Sequence, residues 1–133
     1  MLNWLEKNQG ISLTITLLIA SIMFYISSLS FSSTISYGIP SLNSILYHIT
    51  SFFFLSFFLS ISLIRGKYKK LFPITIVIAI IYGFSDELHQ FFVPGRSCTY
   101  IDVSFDTIGI VFASLIYLII IEYRKNKKVL ACT

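Results

Sequence analysis

The chain has 133 residues and a formal net charge of +4, and it is 56% hydrophobic against 12% charged, with a mean hydropathy of +0.83. So little polar surface excludes a water-soluble globule, and the length allows a single domain, residues 1–133. Lysine and arginine fall almost entirely in two clusters, "RGKYKK" (Arg65 to Lys70) and "YRKNKK" (Tyr123 to Lys128), each directly after an apolar run. That is the pattern of membrane-helix anchors; no basic groove interleaved with stacking aromatics is visible, so nucleic acid is not an expected partner.

Four apolar segments are expected to cross the bilayer: about 11–29, 45–64, 71–92 and 101–121. Each approaches the ~20 residues a spanning helix needs. Their β-branched content would suit strands in water, but in lipid each segment must satisfy its own backbone groups, which favours helices. The fold class is therefore all-α, an integral membrane bundle of four helices. The opening "MLNWLEKNQG" has one lysine balanced by Glu6, and no small-residue cleavage site follows the first run. We read that run as a span and not a cleaved signal peptide.

The connection Ser30 to Ser44 is serine-rich and uncharged, and Gly38 and Pro40 interrupt any helix there. Between the third and fourth spans, "VPGR" (Val93 to Arg96) suits a tight turn. Cys98 and Cys132 form no metal or redox motif. The spans place them on opposite sides of a hydrocarbon core ~30 Å thick, which argues against a bridge between them. No internal repeat supports a transporter built on duplicated halves.

Four spans put both termini and the loop between spans two and three on one side. That side collects nine of the ten lysines and arginines, and only Arg96 lies on the other. The positive-inside rule makes the termini cytoplasmic and the "SDELHQFFVPGRSCTYIDVSFDTIG" stretch (Ser85 to Gly109) outward-facing.

That stretch holds four of the six acidic residues. With a rise of ~1.5 Å per residue, Glu87 sits roughly 7 Å below the end of the third helix, and Asp106 reaches about the same depth on the fourth. Asp86 and Gln90 are an i, i+4 pair, as are Asp102 and Asp106. His48 enters the same layer from the second span. Charges at membrane depth generally face a bundle interior and mark function. A plain fastener, in which Arg96 clamps Glu87 and Asp102 with His48 as a satisfied core residue, needs only one or two pairs. The cluster His48, Asp86, Glu87, Gln90, Arg96, Asp102 and Asp106 exceeds that, so it is the candidate functional pocket. If a metal is held, the expected ligands are Glu87, Asp102 and Asp106, whose carboxylates suit Mg²⁺, Ca²⁺ or Mn²⁺ better than zinc.

The stretch resembles the signature of the VanZ-like family of small bacterial membrane proteins. The family pattern is matched by Asp86-Glu87, Gln90, Pro94-Gly95-Arg96, Asp102, and Asp106 followed by Gly109. His48 fits an upstream part of the pattern, but no lysine precedes it, and Phe52 stands where a tyrosine is expected. The resemblance extends over roughly Asn43 to Gly109; His89 lies inside the motif at a variable position. It implies a four-helix protein of the bacterial cytoplasmic membrane, linked through its founding member to resistance to the glycopeptide teicoplanin.

Two functions follow as expectations. In the first, the outward pocket engages a lipid-linked cell-wall precursor, a phospholipid head group or a lipoglycopeptide, with Arg96 on phosphate or carboxylate. Teicoplanin carries an acyl chain and vancomycin lacks one, so a membrane-surface protein can separate them. In the alternative, the protein is an intramembrane metal-assisted hydrolase or transferase acting on a lipid-linked head group. Glu87 is then the base, His48 a proton carrier and Arg96 the stabiliser of developing charge; Ser97 and Cys98 are near the layer only by sequence. A proton-coupled carrier needs a second cluster in the cytoplasmic half of the spans, where the sequence offers none. A bundle this small also suits homo-oligomerisation, although no GxxxG face argues for it.

Overall fold

The computed structural model describes residues 1–30, 41–96 and 99–130. Helices α1 (Leu2–Lys7), α2 (Gln9–Ser27), α3 (Leu42–Ile64), α4 (Phe72–Phe91) and α5 (Tyr100–Leu130) follow in chain order, with a single 3₁₀ turn at Lys69–Leu71 leading into α4. No strand occurs among the described residues. Helices α2 to α5 are each long and apolar enough to cross a membrane. The reason is the one anticipated: segments of about 20 apolar residues satisfy their backbone internally.

The spans agree with those expected to within a few residues at most ends. Ser41 caps α3, accepting a hydrogen bond from the Ser44 N–H at 3.2 Å. Pro73 stands in the first turn of α4, where its missing N–H costs nothing. The fourth span differs: α5 continues nine residues past Ile121, to Leu130. At ~1.5 Å per residue it is roughly 46 Å long and outreaches the hydrocarbon core. Nothing from Glu122 to Leu130 breaks a helix, and the lysines of its last turn complement the negative end of the helix dipole. Helix α1 was not foreseen; it folds back through Asn8 and buries Leu5 among Ile61, Ile64, Tyr117 and Ile121. Most of the Ser30–Ser44 connection, and both cysteines, lie outside the described residues.

The outward faces are apolar. Leu17, Ile22, Val77, Ile81, Leu88, Phe112 and Ile119 are all exposed, a surface suited to lipid chains and not to water. The interior is small and polar by comparison. Helices α3 and α5 make the most extensive pairing, meeting on Ser56, Gly109 and Ser114, with the Ser56 and Ser114 hydroxyls 3.0 Å apart. Small residues let the backbones approach, which is how helices associate where no hydrophobic drive separates side chain from solvent.

The two ends of the bundle differ in charge. At the basic end, where α1 and the C-terminal part of α5 lie, Arg124 clasps Glu6 through two nitrogens, at 2.5 and 3.0 Å. Tyr117, fully buried, donates its hydroxyl to Glu6 Oε1 at 2.8 Å and accepts the Gly66 N–H at 3.1 Å. Arg65 holds the left-handed C-cap of α3 (φ 54°) and donates to the Glu6 carbonyl and to Gln9. Lys69 pairs with Glu122. The carboxylate of Glu6 is thus fully engaged, and this network fastens α1, α3 and α5. The sequence showed no cluster here because its members lie outside or at the edges of the expected spans. Tyr117→Phe removes the hydroxyl that joins the α3 turn to Glu6. It is expected to cost about 1–3 kcal/mol, a bond to a charged group and one to a half-buried N–H being lost together. Thermal unfolding in detergent checks this; an unchanged midpoint would show the hydroxyl to be dispensable.

Candidate acidic site

At the opposite end, α4 closes in a turn, α5 opens, and the first half of α3 packs against both. The Val93–Arg96 turn is closed by the Arg96 N–H donating to the Val93 carbonyl at 3.2 Å. Pro94 fits its second position and Gly95 its third, where φ is +83° and a side chain would be strained. The expected tight turn is therefore present.

The turn aims Arg96 at α2. Its Nε donates to the Leu29 carbonyl at 3.1 Å and one terminal nitrogen to the Ile26 carbonyl at 2.6 Å. Those carbonyls belong to the end of α2, where a cation meets the negative pole of the helix. His89 reaches the same place: its Nε2 is 2.9 Å from the Ser28 hydroxyl and its ring stacks on Phe24 with centroids 4.4 Å apart. Arg96 and His89 thus tie α4 and its turn to the first span.

The carboxylates gather behind them. Asp86, Glu87, Gln90, Asp102, Asp106 and His48 are all buried, none more than 6% exposed. Each acid has one oxygen engaged. Gln90 donates to Asp86 Oδ2 at 2.9 Å, one helical turn away as the spacing requires. The Thr99 N–H donates to Glu87 Oε2 at 3.3 Å, and the Thr99 hydroxyl to Asp102 Oδ2 at 2.6 Å. His48 Nδ1 lies 2.8 Å from Asp106 Oδ1, joining α3 to α5. Each acid also has one buried oxygen with no hydrogen-bond partner among the described residues: Asp86 Oδ1, Glu87 Oε1, Asp102 Oδ1 and Asp106 Oδ2. Half of the carboxylate oxygens in this layer are therefore unsatisfied, which is costly in a low-dielectric interior.

Thr99 is the residue that sequence reading passed over. It begins α5 in a capping arrangement, its hydroxyl accepting the Asp102 N–H at 3.3 Å. In an ordinary capping box the acid three residues on would take the cap's own N–H; here Glu87 of α4 takes it instead. The signal was present as Thr99-x-x-Asp102, the spacing that marks a helix start. Phe52 lies fully buried just below the layer, beside Gly83.

One nitrogen of His48 and one oxygen each of Glu87 and Asp102 lie within 4.8 Å of one another. Asp106, expected among the ligands, is turned toward His48 instead. A separate apolar cavity of about 240 Å³ lies between α2 and α3, lined by Ile19, Ile22, Met23, Ile26, Tyr47 and Phe54 among others. It reaches toward the acidic end at Ile26 and Tyr47, neighbours of the Arg96 contact and of His48.

Four membrane-length helices enclosing a buried acidic layer at one end define a multi-pass helical membrane protein with a polar interior. Its family can be named. A family model described as VanZ/LLP1 matches residues 3–121, and the chain belongs to that family. The match covers nearly the whole chain, well beyond the Asn43 to Gly109 stretch in which the resemblance was visible. Neither the curated proteins nor the solved structures gave a match.

Proposed function

We propose that this VanZ/LLP1 protein sits in the bacterial cytoplasmic membrane, acidic end outward, and engages the polar head group of a lipid-anchored envelope molecule or lipoglycopeptide. Its action in the cell is then a protective one against teicoplanin-type antibiotics. The observation that carries this reading is the row of four carboxylates that each keep one buried oxygen unpartnered. A fastener such as the Glu6–Arg124 network leaves no carboxylate oxygen idle. Acceptors held idle at a cost suit a group that arrives from outside, with amines, hydroxyls or a cation to offer.

Two further features support it. The nine-to-one distribution of lysine and arginine supports a cytoplasmic basic end. The apolar groove between α2 and α3 opens on the lipid-facing surface and runs toward the acidic layer, so an acyl chain and its head group have adjoining places. Arg96, held on the α2 carbonyls, positions the turn over that junction.

The test is growth inhibition by teicoplanin and by vancomycin in a sensitive Gram-positive host carrying empty vector, wild type or Glu87→Gln at matched membrane abundance. Wild type is expected to protect against teicoplanin alone and Glu87→Gln to lose that protection. Equal protection by both proteins would remove the acidic layer from the function. Protection by neither would overturn the antibiotic reading itself.

A further inference from the structure

We infer that the acidic layer is a divalent cation site, with His48, Glu87 and Asp102 as its ligands and Asp106 as the residue that positions His48. Three independent features meet there. The first is proximity: one donor atom from each of the three side chains lies within 4.8 Å of the other two, although they come from α3, α4 and α5. Ligand bonds to a first-row divalent ion are ~2.0–2.2 Å long, so small side-chain rotations close such a set onto one ion.

The second is the state of the two carboxylates. Glu87 Oε1 and Asp102 Oδ1 are buried and unpartnered, while their other oxygens are fixed by Thr99. Each carboxylate is thus oriented by one oxygen and left open at the other. Thr99 holds both, through its N–H and its hydroxyl, so the start of α5 sets the spacing of the pair.

The third is the partner of His48. With its proton on Nδ1, toward the Asp106 carboxylate 2.8 Å away, the ring keeps its lone pair on Nε2, the form in which imidazole binds metal. A carboxylate behind a histidine fixes its tautomer and ring orientation and raises its basicity, the arrangement usual behind metal-bound histidines. Asp106 Oδ2 remains unpartnered, beside Gly83, where an added Cβ would lie 3.5 Å away. An oxygen in that position suits a water bound to the ion.

One imidazole and two carboxylates shift the expected preference from Mg²⁺ and Ca²⁺ toward Mn²⁺ or Zn²⁺. Three protein ligands also leave positions open for an outside oxygen. The role of the ion rests on the head-group reading above: it would turn a layer of surplus negative charge into one that accepts a phosphate. Its existence does not rest on that reading.

The experiment uses the full chain in detergent, stripped with chelator and titrated with MnCl₂ while free Mn²⁺ is followed by electron paramagnetic resonance. ZnCl₂ serves as competitor. One Mn²⁺ per chain is expected, displaced by Zn²⁺, with a pulsed-resonance coupling to an imidazole nitrogen that His48→Gln abolishes. Asp106→Asn is expected to weaken binding about 10–100-fold while the nitrogen coupling persists, as a positioning role requires. Wild type alone decides the main point, whatever the folding of the variants: no saturable uptake of either ion at millimolar metal overturns the site. Full binding by a folded Glu87→Gln, Asp102→Asn double variant overturns the ligand assignment. If no metal binds while Glu87→Gln still loses teicoplanin protection, this inference fails and the head-group reading stands. If metal binds as expected but wild type gives no protection, the site stands and that reading falls.

Discussion

Replacing Gly109 with alanine lowers the apparent melting temperature of the detergent-solubilised protein, and replacing it with leucine prevents accumulation in the membrane. A Cβ at Gly109 would stand 2.4 Å from the Ile49 carbonyl oxygen and 3.1 Å from the Phe53 nitrogen, both backbone atoms of α3. Backbone in the middle of a helix does not swing aside as a side-chain tip does. The helices must therefore part by most of an ångström along their most extensive contact. Alanine's better helix propensity would by itself contribute about 1 kcal/mol in the opposite direction. Overpacking costs about 1–3 kcal/mol even where side chains can adjust, and here they are not the obstacle, so destabilisation wins. The separation also acts on the acidic layer: Asp106 lies one turn from Gly109 on α5, and its 2.8 Å contact with His48 of α3 spans the same interface. Gly10 is the control. Nothing lies within 4 Å of its would-be Cβ, so Gly10→Ala is expected to leave the midpoint unchanged or raise it slightly. A Gly109→Ala midpoint equal to that of Gly10→Ala would show that the helices are not in the contact described.

How much of this was legible beforehand follows from what hydropathy and spacing can carry. The spans were readable because lipid demands long apolar runs, and the turn because Pro94-Gly95 has one comfortable geometry. Asp86 with Gln90 followed from helical repeat alone. The pairing of His48 with Asp106 did not, since two residues 58 apart meet only when the rotations of α3 and α5 about their axes are known. Arg96 was expected over the acids because carboxylates are visible in a sequence and backbone carbonyls are not; it tightens the end of α2. The basic-end network was missed for the same reason that Glu6 and Arg124 looked unrelated: 118 residues separate them, and α1 is too short to announce itself.

On the proposed reading the two ends also separate stability from function. At the basic end the Glu6 carboxylate is saturated, so removing any partner there lowers stability. At the acidic end the protein tolerates unpartnered oxygens that a purely structural interior would have replaced. Sites that keep such groups generally do so at the expense of stability.

This makes the second large prediction run against ordinary experience with buried charge. In the metal-free, chelator-treated protein, Glu87→Gln is expected to raise stability, by about 1–3 kcal/mol, while abolishing teicoplanin protection. Glu87 is 2% exposed, its Oε1 has no partner, and an Asp102 carboxylate oxygen lies within 4.8 Å of one of its own. Glutamine is nearly isosteric. Its amide oxygen can still accept the Thr99 N–H, and its NH₂ brings donors into a layer with idle carboxylate oxygens. At a pH where Glu87 is ionised, the substitution thus removes one buried charge and ends one like-charge contact, and both changes have the same sign. A clamp would behave oppositely, because removing one partner of a buried ion pair is destabilising by several kcal/mol. Restoring Mn²⁺ or Zn²⁺ should then reverse the order, stabilising wild type and leaving Glu87→Gln where it was. Thermal unfolding of both proteins, with chelator and with metal, reads all four states. A lower midpoint for Glu87→Gln in chelator would make Glu87 a structural tie; a higher one would mark a carboxylate kept for something other than holding the helices together.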